Sequence, residues 1–142
     1  MFPSKPGPVS QQGYYIREAE GPKQNYILKL NGSENHFLGY FANGQSIVKG
    51  GMSVSPLTRK DAFNAALPAG AYSWILMYSN AIDSLEPYAN SKLGLIGENV
   101  LKKVLTEKGK SLGGEFFLAS DAVIAEAWAA SKRKVQEYLG VF

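Results

Sequence analysis

The chain contains no cysteine, so no disulfide, thiolate metal site or cysteine nucleophile can be built from it. Histidine is almost as scarce. His36 is the single one, which leaves one residue for any Ser-His-Asp triad and excludes a multi-histidine metal site within one chain. Charged residues make up only 19% of the 142 positions, against about a quarter in an average soluble domain. Long hydrophobic runs are missing too. The most apolar stretch, residues 71–78, is too short to span a bilayer and has Ser73 inside it. Residues 1–10 are polar and proline-rich with no apolar core, so no targeting segment is evident. Synthesis in the cytoplasm without export is expected, and membrane insertion is not.

What is present is aromatic. Eight tyrosines, seven phenylalanines and two tryptophans give 12% of the chain. The formal charge is +3, and the surplus falls entirely in residues 1–70, which hold seven basic and four acidic side chains. Such a mild bias differs from the dense basic stripe of a dedicated nucleic-acid binder. The length matches one domain with one core.

Residues 1–12 are expected to form an extended arm, because Pro3, Pro6, Pro8 and Gly7 deny it a helix or a central strand. Residues 13–142 are expected to form a single α+β domain, opening with a four-stranded antiparallel β-meander. The strands are residues 13–19, 25–30, 36–42 and 45–49, rich in aromatic and branched side chains and separated by Gly, Asn or Pro turns. Asn43-Gly44 between two apolar runs is a strong hairpin signal.

Three to four helices are expected to pack on this sheet. Ser55 can cap the first, with Pro56 at its first position. Ala71, Trp74, Ile75, Tyr78, Ile82 and Leu85 recur at spacings of three and four, which predicts an amphipathic helix over residues 71–86; a buried strand from position 72 to 78 is the rival. Leu93, Ile96, Val100, Leu101, Val104 and Leu105 form the stripe of the next helix, with a Glu98–Lys102 pair and Gly109 to end it. Gly94 and Gly97 weaken its start and suggest close approach of another backbone. Residues 115–119 read as a short strand. Ser120 then caps a last helix whose apolar face is Ile124, Ala127, Trp128, Val135, Tyr138 and Leu139, with Gly140 as its C-cap.

Four residues form the most suggestive catalytic constellation. Arg17 lies on the first strand, Ser53 and Ser55 follow the meander with one residue between them, and Glu115 opens the late strand. That order resembles the Arg, Ser-x-Ser, Glu-x-Glu layout of ADP-ribosyltransferases. The resemblance implies that the arginine and serines would hold NAD and that the glutamate would stabilise a ribose cation. Position 113, where the motif has its first acid, is glycine. Gly50 and Gly51 before a helix start suggest a phosphate loop, but neither the Walker ending nor the Rossmann spacing is present. His36 is a candidate general base by residue type alone. Seven basic residues, Lys102, Lys103, Lys108, Lys110, Lys132, Arg133 and Lys134, can meet phosphates, though acids of equal number are interleaved with them.

The leading expectation is a non-enzymatic interaction or structural subunit of a larger assembly. Aromatic residues are enriched and charges depleted in interface cores, and Phe2, Val9, Tyr14, Tyr15 and Tyr40 are the interface candidates. A small enzyme with the ADP-ribosyltransferase-like layout comes second, and a nucleic-acid-binding module third. No cofactor and no metal are assigned.

Overall fold

The computed structural model describes residues 21–31, 44–68, 70 and 72–140. In chain order the elements are β1 (Gln24–Asn31), β2 (Gln45–Ser53), α1 (Pro56–Ala65), β3 (Ser73–Ser79), α2 (Ser91–Lys108), β4 (Lys110–Gly113), β5 (Phe116–Ser120) and α3 (Asp121–Leu139). The protein is α+β. Among the described residues its sheet has five antiparallel strands in the order β3-β1-β2-β5-β4. This corrects the four-stranded meander. β3 and β5 flank the β1–β2 pair, so the sheet recruits strands from beyond α1 and α2. The expected strands at 13–19 and 36–42, and the N-terminal arm, lie outside the described residues.

Alternation along β1 assigns the two faces. Ile27 joins Val48, Phe117 and Ala119 beneath Leu101 and Leu105 of α2 and Ile124, Ala127 and Trp128 of α3. Tyr26, Leu28 and Leu30 face the other way, with Ile47, Trp74 and Leu118, and Phe63 of α1 packs against that second cluster. Burial on both sheet faces explains why Tyr26, Ile27 and Leu28 follow one another as apolar residues in β1.

α2 and α3 form because their sequences supply both stripe and caps. Asn90 Oδ1 accepts from Leu93 N–H at 3.1 Å, and Ser120 Oγ accepts from Val123 N–H at 3.2 Å. Gly140 ends α3 in the left-handed region, φ 75°, where glycine carries no Cβ penalty. Glu98 and Lys102 pair as expected, at 2.8 Å. The glycines of α2 do mark a close approach, but of side chains. A Cβ at Gly97 would collide with Asn25 Oδ1, and one at Gly94 with Met52 Sδ. Ser131 Oγ of α3 donates to Gly97 O at 2.8 Å, fixing the helix crossing where both residues are buried.

Two helix expectations are corrected. Residues 73–79 form β3, the rival strand, and the chain after it runs through a turn to Asn90. A register shift between Ile27 and Leu28 leaves Met77 without a partner on β1. This bulge turns Tyr78 to the α2–α3 side, where it stacks on Trp128 at 5.6 Å. Tyr138 and Leu139 are exposed, at 53% and 52%, rather than part of the buried face of α3. The last turn of α3 lies beside the first turn of α2, with Lys92 Nζ 5.5 Å from the Tyr138 ring.

Candidate functional site

Glu115 is placed by its turn. Gly113 and Gly114 both take positive φ, 102° and 61°, which a side chain would resist. The tight reversal from β4 into β5 brings the Glu115 carbonyl to Gly50 N–H of β2 at 3.3 Å. Its carboxylate then meets Lys49 on one oxygen and Lys102 on the other, the latter at 3.2 Å. Lys102 also pairs with Glu98. The Lys49 side chain is only 8% exposed, and its ammonium stands 5.0 Å from the Phe63 ring and 5.4 Å from the Phe116 ring, both within cation–π range.

The titration of this cluster follows from its contacts. Burial pushes the Glu115 carboxyl up, but the hydrogen bonds and charges of Lys49 and Lys102 outweigh it and hold the group below its ordinary range. Burial likewise works to lower Lys102, yet Glu98 and Glu115 raise it, so it stays protonated. The neighbouring Tyr26 hydroxyl is pushed up by burial against the opposing charge of Arg59. A general acid or base works best with a pKa near the working pH. Glu115 is shifted away from it, with both oxygens occupied by ammonium groups. The arrangement is a closed ion network joining β2, α2 and the β4–β5 turn.

The other constellation residues have local partners. Ser55 Oγ accepts from Thr58 N–H at 3.3 Å as the N-cap of α1, as expected, and Ser53 Oγ accepts from Ser55 N–H at 3.1 Å. Arg17, His36 and all five interface candidates, Phe2, Val9, Tyr14, Tyr15 and Tyr40, lie outside the described residues. Of the basic residues, Lys102, Lys108, Lys132 and Lys134 each pair with a carboxylate. Among the described residues no group of three or more His, Asp or Glu side chains could hold a metal ion, and no helix is long and apolar enough to cross a membrane.

A different feature stands out on the sheet edge. An open depression of about 360 Å³ runs between the first turn of α1, the outer edge of β3 and the turn after it. Pro56, Leu57 and Lys60 form one wall, Ile75 and Leu76 the floor, and Ala81 and Ile82 the far wall. Leu57, Ile75 and Ile82 are 58%, 39% and 52% exposed. Single exposed apolar residues are ordinary, but three converging on one concavity are not. Gln24 Oε1 accepts from Ala81 N–H at 3.0 Å and braces the far wall. Sequence patterning missed this groove because it assigned Ile75 and Ile82 to the buried stripe of one helix; as a strand and a turn they form the floor and the far wall of one opening. Against protein-family models, curated proteins and solved structures, the chain has no significant match.

Proposed function

We propose that this chain is a non-enzymatic interaction subunit, and that the groove between α1 and β3 receives an apolar segment of a partner protein. The observation that carries this is the convergence of Leu57, Ile75 and Ile82, all exposed, on one concave site. Among the described residues Lys60 is the only ionisable side chain lining it, and its partner is the neighbouring, well-exposed Asp61 at 3.4 Å. Surface pairs of that kind contribute about 0–1 kcal/mol, so Lys60 can exchange Asp61 for a carboxylate on the incoming segment. Apolar anchors ringed by a polar rim are the usual anatomy of a protein contact. The closed ion network around Glu115 supports a structural role for that residue.

A photo-crosslinking side chain at position 57, in cells that make the chain naturally, tests this. A discrete adduct should form whose cross-linked peptide is apolar with an acidic residue, and Ile82→Asp in the same chain should abolish it. The purified partner should bind the wild-type chain and not Ile82→Asp. No adduct from position 57, or an equal one from exposed position 107 on α2, rejects the proposal.

A further inference from the structure

Resting on that reading of the groove, we infer that the partner segment enters as an extended strand, adding to the free edge of β3 at Leu76 and presenting an acidic residue to Lys60. β3 is an edge strand, hydrogen-bonded to β1 alone among the described strands, and unpaired edges are templates for another strand. Among the described residues its outer side is occupied at one point. Asn64 of α1 accepts from Trp74 N–H at 2.6 Å and donates to Trp74 O at 3.0 Å, so one side-chain amide takes the place of a neighbouring strand.

That contact fixes the direction of the next groups. Trp74, Ile75 and Leu76 lie opposite Leu30, Lys29 and Leu28. In an antiparallel ladder successive residues alternate between bonding inward and pointing outward. Trp74 points outward to Asn64, Ile75 bonds inward to β1, and Leu76 therefore turns its N–H and C=O outward into the groove. The bulge at Met77 ends the regular edge immediately afterwards. One rung is open, with Asn64 on one side of it and the bulge on the other.

Side chains of an added strand alternate between faces. Those next to the rung would meet Leu57 and Pro56 on the α1 side and Ile75 on the opposite face. Among the described lining residues Lys60 supplies the only charge, which selects an acidic residue. A second copy of this chain fits poorly. Its own β3 edge is recessed between the same two walls and offers the same single rung, whereas symmetric edge pairing needs several.

The test uses the purified full chain and a displayed library of short random peptides, with selection repeated on Ile82→Asp. Selected peptides should share alternating apolar residues and an acid, and should shift the Leu76 amide resonance. An N-methyl scan should find one position where methylation weakens binding at least tenfold. Lys60→Glu should lose about tenfold, recovered when the peptide acid is changed to lysine. Peptides that bind the groove as helices, indifferent to N-methylation at every position, overturn strand addition while leaving the groove a docking site. Peptides that bind Ile82→Asp equally well overturn both. Self-association of the wild-type chain that Leu57→Asp abolishes overturns the partner in favour of a second copy.

Discussion

Glu115→Gln isolates what the ion network contributes. The substitution keeps the shape and the backbone hydrogen bond to Gly50 but removes the negative charge opposite Lys49, whose side chain is 8% exposed. Breaking a buried pair by removing one partner costs about 3–5 kcal/mol, because the other charge stays behind unpaired. Here Glu115 is 44% exposed and water reaches that side of the contact, so about 2 kcal/mol is expected. With a urea slope of about 2 kcal/mol/M, the unfolding midpoint should fall by about 1 M. Adding Lys49→Met should restore most of the loss, since an apolar side chain over Phe63 and Phe116 needs no counter-charge, and Lys102 keeps Glu98. The pH profile provides an independent check. The folded chain holds the Glu115 carboxyl below its ordinary value of 4.5, so the unfolded chain binds the proton more tightly. Its contribution is fully present above about pH 4.5 and is lost as the pH falls through the lower folded value. Wild type should lose stability more steeply than Glu115→Gln below pH 4.5, with the two curves parallel from pH 6 to 8. A midpoint unchanged within 0.2 M and an identical acid limb would refute the reasoning, because Lys49 would then have another way to be solvated.

Four further outcomes can be read from the same denaturation assay. Gly97→Ala should cost about 2–3 kcal/mol, since the new methyl meets Asn25 Oδ1, a side chain tethered by its donation to Gly94 O at 2.8 Å. Gly94→Ala should stay within about 1 kcal/mol of wild type, because the end of Met52 can swing aside and the helix gains about 1 kcal/mol of propensity. Asp83→Ala should cost about 1–3 kcal/mol by leaving the Trp128 indole N–H, bonded to Asp83 at 2.8 Å, without an acceptor. Asp83→Asn, which retains an acceptor, should cost less. Asn64→Ala should cost about 1 kcal/mol and raise aggregation measured by light scattering, since it uncovers the outer edge of β3 at Trp74.

The helices were legible because their signals are local. Ser120, Gly109 and Gly140 mark ends of α2 and α3 where capping chemistry needs them, while the Asn90 cap of α2 was not singled out, and buried residues recur at 93, 97, 101 and 105 along one face of α2. Sheet order was not legible, since no local pattern says that β3 pairs with β1 or β5 with β2. The helix expected at 71–86 fails for a more specific reason. A regular strand would place Trp74, Leu76 and Tyr78 on one face. The bulge at Met77 sends Tyr78 to the other, and the resulting break in the period of two leaves Trp74, Ile75 and Tyr78 at spacings that imitate a helix. Glu115 was singled out from the residue order alone. Its partners Lys49 and Lys102, 66 and 13 positions away, follow from the register of β2 with β5 and the placement of α2.

The same bulge explains why the open edge lies where it does. An edge strand can be protected along its whole length by a covering element or interrupted at intervals. β3 is interrupted twice, by the Asn64 amide at Trp74 and by the irregular pairing at Met77. Leu76 falls between the two. α1 has Pro56 as its one buried residue; its attachment through the Asn64 amide and through Phe63 on the second core cluster sets Leu57 and Lys60 along the gap. Protection of the strand and construction of the groove are thus one arrangement. Asn64→Ala therefore uncovers Trp74, lengthening the exposed edge, and loosens a wall of the groove in the same step.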